Sequence, residues 1–170
     1  MIKYKRLYFT LILFCNIAFG FSQTTYKIEN NQLIIPDSLP IVFETGTSNL
    51  LPQSKGAINY VASFLIAKTY ISTLRIESHL ANNGKEDFLQ KLTEQRALVI
   101  AKELAKLIDC KRLIAVGFGS TKPIANNSSF EERLKNNRSS FHIAALRSKA
   151  IGGMPLDGGG NIAGEPCANE

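Results

Sequence analysis

The alternation of short apolar segments with two amphipathic helical stretches constrains the fold of this chain more than any other feature. Apolar side chains recur every three or four residues after Pro52 and again over residues 88–108, which is typical of helices with one buried face. Residues 73–80, 113–118 and 139–146 have the length and composition of strands. Because helical crossovers join parallel strands, this order predicts a mixed sheet covered by helices.

Two weaker segments complete the predicted order. Residues 39–44 form an apolar strand candidate ahead of the first helix, and a short helix is expected at residues 129–134. The predicted fold class is therefore α/β (α+β), in the order βαβα(α)ββ, with a mixed sheet of about four strands and helices packed on one face. The strand at residues 73–80 alternates a largely apolar side with a polar side, so we expect it to bury one face. The polar side consists of Arg75, Glu77 and His79.

The first 22 residues have the pattern of a secretory signal peptide. Lys3, Lys5 and Arg6 precede an apolar run that is shorter than the roughly 20 residues needed to span a bilayer. Small residues then supply a cleavage site before Gln23. We therefore expect an exported protein, located in the periplasm either free or associated with the outer membrane, with no transmembrane span in the mature chain.

Both ends of the mature chain differ from the central folding unit. Residues 23–40 predict an N-terminal extension or small hairpin around Asn30. Residues 147–170 are rich in glycine and have little to bury, which predicts a flexible C-terminal tail. Cys110 and Cys167 are compatible both with a disulfide in an oxidising compartment and with free thiols.

The charge balance gives little support for a nucleic-acid partner. The full chain carries a net charge of +6, but its first 22 residues hold three of the 20 Lys and Arg and none of the 14 Asp and Glu. The remainder therefore has 17 basic and 14 acidic residues, a net charge of +3 spread along the chain. We predict no nucleic-acid partner.

The sequence lacks the motifs that catalysis or metal binding requires. His79 and His142 are the only histidines, and neither lies in an HExxH or CxxC setting. The segment GFGSTK at residues 117–122 lacks the third glycine of a dinucleotide loop, and no GxSxG or SxxK motif is present. We predict a binding protein without metal or cofactor rather than an enzyme.

Four segments, in order, resemble motifs of the OmpA-like C-terminal domain, which also occurs in flagellar-motor stator proteins and peptidoglycan-associated lipoproteins. The resemblance covers about residues 41–145 and implies an OmpA-like domain at residues 41–146 with the mixed-sheet fold of that family. The segments are IVFETGTSNLLP at residues 41–52, SHLANNG at 78–84 with LTEQRA at 92–97, AVGFGSTKPIANN at 115–127, and EERLKNNR at 131–138.

The resemblance implies non-covalent binding of the diaminopimelate-containing stem peptide of peptidoglycan. In the family an aspartate takes the ammonium group and an arginine fifteen residues later takes the carboxylate. Arg96 matches the arginine, but Ala81 stands at the aspartate position. We therefore expect weakened or altered peptidoglycan binding, with further ligand contacts from Asn82, Asn83, His79 and Arg138. The alternative is a periplasmic interaction or assembly module that has lost this ligand and binds an envelope protein.

Overall fold

A central sheet and three helices make up the part of the chain that the structure, a computed structural model, describes: residues 25–152 and 160–168. The predicted signal peptide at residues 1–22 lies outside it. The strands are β1 (Lys27–Glu29), β2 (Gln32–Ile34), β3 (Ile71–His79), β4 (Leu113–Gly117), β5 (Arg138–Leu146), β6 (Lys149–Ala150) and β7 (Asn161–Ile162). The helices are α1 (Lys55–Ala67), α2 (Glu86–Ala105) and α3 (Phe130–Asn136), with 3-10 turns at Pro52–Ser54 and Cys110–Arg112.

The sheet has the order β1-β2-β5-β3-β4-β7, and β6 forms a hairpin with β5. Of these pairs, β3 and β4 are parallel and the others are antiparallel. The mixed α/β fold predicted from the sequence is thus confirmed, with short added strands at both edges. The expected N-terminal hairpin is also present, and it turns at Asn30 and Asn31, whose positive φ angles of 49° and 62° suit a tight hairpin turn.

Helices α1 and α2 cover one face of the sheet. None of the three helices in the described ranges is long and apolar enough to cross a membrane. Gly117 permits the close approach of α2 to β4, because a Cβ atom there would lie 2.3 Å from the backbone nitrogen of Glu94. The core between helices and sheet includes Val61, Phe64, Leu65, Leu74, Ile76, Ile100, Leu104, Ala115 and Phe141.

The first predicted strand, at residues 39–44, is wrong. This segment makes one isolated bridge, between Phe43 and Leu50, instead of joining the sheet. The hydroxyl group of Ser54 accepts a hydrogen bond from the Val42 amide and donates one to the Val42 carbonyl. Because a side chain satisfies both backbone groups, Val42 does not need a neighbouring strand.

The polar side of β3 is buried, contrary to the expectation that this strand buries one face. Arg75, Glu77 and His79 are only 7%, 5% and 3% exposed. The burial arises from tertiary structure, because β2, β5 and the loop after β4 bring residues such as Gln32 and Phe118 around these side chains. Buried charged side chains of this kind require partners within the fold.

The prediction of a flexible tail from residue 147 is wrong for the described part of that tail. Residues 149–150 pair with β5, and β7 adds an antiparallel strand to the edge of β4. A disulfide joins Cys110 to Cys167, with their Cα atoms 5.2 Å apart. An unpaired strand edge and a covalent link therefore order a segment whose composition alone predicts disorder. Residues 153–159 and 169–170 lie outside the described residues.

We expect the disulfide to stabilise the fold by restricting the unfolded chain. Closing a loop over the sequence separation of 57 residues corresponds to a gain of up to about 4 kcal/mol in the free energy of unfolding. Urea denaturation of the Cys110→Ser/Cys167→Ser variant should show a loss of that order. Adding a reductant should reproduce the loss in the parent and leave the double variant unchanged, whereas equal midpoints for both proteins would contradict the link.

Candidate functional site

The loop between β3 and α2 is fixed by backbone hydrogen bonds to two neighbouring segments. The Leu80 amide donates to the Gly119 carbonyl at 2.9 Å, and the Ala81 amide donates to the side-chain oxygen of Asn137 at 2.8 Å. Within the loop, the Asn83 amide donates to the Ala81 carbonyl. The loop is therefore held against the end of the sheet, where it forms one wall of a cleft.

This cleft has a volume of about 510 Å³ and lies between the β3–α2 loop, α2 and the segment that precedes α1. Arg96 is the one charged residue among those that line it. Most of the other lining side chains are apolar. The lining residues are Ile41, Val42, Phe43, Thr45, Gly46, Leu80, Asn83, Gly84, Phe88, Leu89, Leu92, Arg96, Leu134 and Asn137.

Arg96 is half-buried and held from two sides. Its Nε donates to the Thr47 carbonyl at 2.8 Å, and its guanidinium carbon lies 4.7 Å from the centre of the Phe43 ring. Burial lowers the pKa of Arg96 from its ordinary value, but a guanidinium remains charged in proteins. Within the described ranges its two terminal nitrogens have no hydrogen-bond partner, so they are available to a ligand.

Ala81, which stands where the family has an aspartate, has no side-chain acceptor for an ammonium group. Ala81 is fully buried, and its amide is already used by Asn137. Asn83 is exposed and lines the cleft, whereas Asn82 does not line it and its amide lies 3.3 Å from the side-chain oxygen of Asn127. The nearby carboxylate of Glu86 accepts hydrogen bonds from the Ser120 amide and hydroxyl, so it is held by the loop after β4.

His79 and Arg138 meet Arg96 around a second, smaller cavity. This space of about 30 Å³ lies where β3 ends and β5 begins, and it is lined by all three residues. Arg138 donates to the Lys122 carbonyl at 3.0 Å, which ties the start of β5 to the loop after β4. The buried Asn136 side chain stabilises the same loop, because its oxygen accepts from the Ile124 and Ala125 amides.

The His79 side chain lies on the sheet face that carries Glu77. Its ring stacks on Phe118 at a centroid distance of 5.0 Å, and its Nε2 lies 3.2 Å from Glu77 Oε2. His142 Nε2 approaches the same oxygen at 3.3 Å, and Arg75 pairs with the other carboxylate oxygen. Burial alone would raise the pKa of Glu77, but the two histidines and Arg75 hold it well below its ordinary value.

The sequence does not reveal the roles of two residues of the cleft. Phe43 supports the Arg96 guanidinium, and Asn137 anchors the Ala81 loop across a separation of 56 residues. Asn137 occupies a variable position of the EERLKNNR motif, so neither spacing nor residue type points to its role. Both contacts depend on tertiary structure. In the described ranges no cluster of three or more His, Cys, Asp or Glu is arranged to hold a metal ion.

The mixed sheet, the two helices on one of its faces and the cleft beside Arg96 define the class of this protein as an α/β domain with a ligand-sized cleft at the end of the sheet where β3 ends and β5 begins. The sequence model of the OmpA family matches residues 42–138, which is more than half of the chain. The chain belongs to the OmpA family.

Relatives and solved structures agree with this assignment. The chain is 29% identical over 109 residues to the outer-membrane lipoprotein YfiB of Pseudomonas aeruginosa, covering 64% of each protein. It is 34% identical over 100 residues to the peptidoglycan-binding protein ArfA of Mycobacterium tuberculosis, covering 58% of this chain and 30% of ArfA. The periplasmic domain of Helicobacter pylori MotB has the same fold, with a TM-score of 0.58, 21% identity, and coverage of 69% of this chain and 78% of that one. The chain thus spans less than two thirds of either relative's length.

The burial of His79 predicts a pH-dependent stability. Burial lowers the pKa of His79 below the ordinary 6.5, against the opposing effect of Glu77 and with the help of Arg138. As the pH falls through 6.5, the unfolded chain takes up a proton before the folded chain does, so the folded state loses stability. The free energy of unfolding should fall by up to about 1.4 kcal/mol per pH unit as the pH falls below 6.5, until the folded chain is protonated as well.

Urea denaturation at a series of pH values measures this slope. The His79→Gln variant should show a smaller slope, and the Lys91→Gln variant, altered at an exposed position on α2, should keep that of the parent. An unchanged slope in His79→Gln would assign the pH dependence to other groups.

Proposed function

We propose that this protein is an exported envelope protein whose OmpA-family domain binds peptidoglycan non-covalently in the periplasm. Arg96 takes a carboxylate of the diaminopimelate-containing stem peptide, and recognition of the ammonium group is altered because Ala81 replaces an aspartate. The proposal involves neither catalysis nor a cofactor. It is supported by the family assignment and by a relative that is itself named for peptidoglycan binding.

The single observation that carries the proposal is the state of Arg96. Phe43 and the Thr47 carbonyl fix its guanidinium, while the two terminal nitrogens make no hydrogen bond to any described residue. A planar guanidinium held in this way offers two parallel donors to a carboxylate. Because no acid lines the cleft among the residues that the structure describes, none of them competes with a ligand carboxylate for Arg96.

Because no acid lines the described part of the cleft, recognition of the ligand's ammonium group should be altered. An ammonium group that enters the cleft meets apolar walls and the side-chain amides of Asn83 and Asn137. Leaving a desolvated ammonium group without a charged partner costs about 2–5 kcal/mol, or roughly thirtyfold to thousands-fold in affinity. We therefore expect binding to depend on the carboxylate and to gain little from the amine.

Sedimentation with purified peptidoglycan sacculi tests the role of Arg96. The parent protein should pellet in a saturable manner, and Arg96→Gln should bind at least about tenfold more weakly because the charged donors are lost. Lys91→Gln removes one positive charge from an exposed position of the same helix, outside the cleft, and should bind like the parent.

Two results would contradict this proposal. One is a parent protein that does not pellet at any concentration. The other is equal loss of pelleting in Arg96→Gln and Lys91→Gln, which would show attraction to the acidic polymer as a whole instead of a site at Arg96. Circular dichroism of each variant checks that it remains folded.

Asn83→Asp tests the missing ammonium partner with a nearly isosteric change at an exposed position of the cleft. A carboxylate there should strengthen binding of soluble muropeptides that carry a free diaminopimelate amine, by about tenfold or more. Muropeptides with the amine acetylated should bind the parent and Asn83→Asp alike. Isothermal titration with both ligands gives the ratio, and a parent that already discriminates between them would contradict altered recognition.

A second candidate function, docking of an envelope protein, is favoured by the rim of the cleft. Phe88 and Leu134 are 55% and 53% exposed, and both line the cleft together with Leu80. Exposed apolar groups around a cleft are typical of protein interaction sites. If the parent does not bind sacculi, a Phe88→Ser/Leu134→Ser variant that loses a partner captured from the same envelope would support this candidate.

A further inference from the structure

The strongest unexplained feature of the structure is the buried polar row of Arg75, Glu77 and His79 on the face of β3 that points away from α1 and α2. A pocket of about 530 Å³ lies over it, on the face of the sheet opposite α1 and α2 and distinct from the Arg96 cleft. Pockets that hold small molecules in proteins have volumes of this order. The lining residues are Gln32, Arg75, Glu77, His79, Phe118, Lys122, Pro123, Ile124, Arg138, Ser140 and His142.

The one acid in this pocket is already neutralised. Glu77 pairs with Arg75 and accepts from the imidazoles of His79 and His142 at 3.2 and 3.3 Å. The Ser140 hydroxyl lies 3.4 Å from the same carboxylate. The charge of Glu77 is therefore balanced by partners from β3 and β5.

Positive charge remains after this pairing. Lys122 and Arg138 also line the pocket, and Glu77 is the one acid among its described lining residues. Arg138 is held by the carbonyls of Lys122 and Asn136, which orient the guanidinium without neutralising it. With neutral histidines the lining residues carry three positive charges and one negative charge, so the pocket favours an anion over a cation.

The buried guanidinium of Arg75 independently supports an anion site. Its side chain is 9% exposed and lines the pocket, yet Nε and Nη1 have no hydrogen-bond partner among the described residues. Both nitrogens are shielded from solvent, as are Glu77 Oε1 and His79 Nδ1, which also lack hydrogen-bond partners among the described residues. Buried guanidinium donors without acceptors are unfavourable, and an anion in the pocket would offset part of the guanidinium charge.

We propose that this pocket binds a small oxyanion, with the phosphate or carboxylate group of the ligand seated between Arg75, Lys122 and Arg138. A free small molecule and a lipid headgroup share this chemistry. Because Arg75 is buried at the base of the pocket, the binding group must enter the pocket and cannot bind from a flat surface.

Titration of the purified protein with inorganic phosphate, at constant ionic strength and pH 7.5, tests the site. Isothermal titration should show one saturable site. Lys122→Gln, at an exposed residue, should weaken binding by about tenfold. Lys91→Gln and Arg96→Gln should leave phosphate binding unchanged. For Arg96→Gln the reason is that the Arg96 cleft is a separate site. Binding that every lysine or arginine variant weakens equally would overturn the proposal, as would an absence of saturation.

The Arg75→Gln/Glu77→Gln variant tests the buried donors without changing the net charge. Its glutamines keep hydrogen-bonding groups beside the histidines, and thermal unfolding checks that the variant is folded. A folded double variant should lose phosphate binding by at least about tenfold. Unchanged binding in this variant would overturn the role of Arg75.

Vesicles containing phosphatidylglycerol distinguish the sources of the anion. Vesicle binding that free phosphate displaces and Lys122→Gln weakens would support the pocket, with a lipid headgroup as its ligand. Binding of Zn²⁺ that displaces phosphate would overturn the proposal, because the histidines and Glu77 would then form a cation site. None of these results depends on binding to sacculi.

Discussion

The position of β3 at the centre of the sheet is the constraint on which the rest of the structure depends. Its parallel pairing with β4 and antiparallel pairing with β5 fix the register of every neighbouring strand. One side of β3 provides Leu74 and Ile76 to the core under the helices, and the other provides Arg75 and Glu77 to the buried charged cluster. The strand ends at His79, so the same register also places the loop that forms the Arg96 cleft.

The elements that the sequence predicts well are those whose signal is local. Helix α2 and strands β3, β4 and β5 are each identified by spacing within one segment, and their observed ends differ from the predicted ends by three residues or fewer. The segment around Phe43 fails as a strand because Ser54, twelve residues away, satisfies the backbone groups of Val42. Strand β7 has no local signal, since it forms only against the free edge of β4.

The candidate sites also combine residues that a local pattern identifies with contacts that depend on tertiary structure. The resemblance identifies Arg96 through its spacing within a motif, and the structure places this residue in a cleft with Asn83. The support of the guanidinium by Phe43 and the anchoring of Ala81 by Asn137 join segments about 50 residues apart, so no local pattern contains them. The burial of Glu77 is likewise invisible in a strand whose alternation indicates one buried face.

The two candidate sites differ in the surroundings of their arginine residues, and these surroundings favour different ligands. Arg96 lines a cleft whose other described lining residues are mostly apolar and include no acid, which suits a ligand with a carboxylate and an apolar body. Arg75 is instead paired with Glu77 inside a network that also fixes two histidines. Because Arg138 lines both the small cavity beside Arg96 and the outer pocket, a change in its position would be felt at both sites. Arg138 thus connects the small cavity beside Arg96 with the pocket on the opposite face of the sheet.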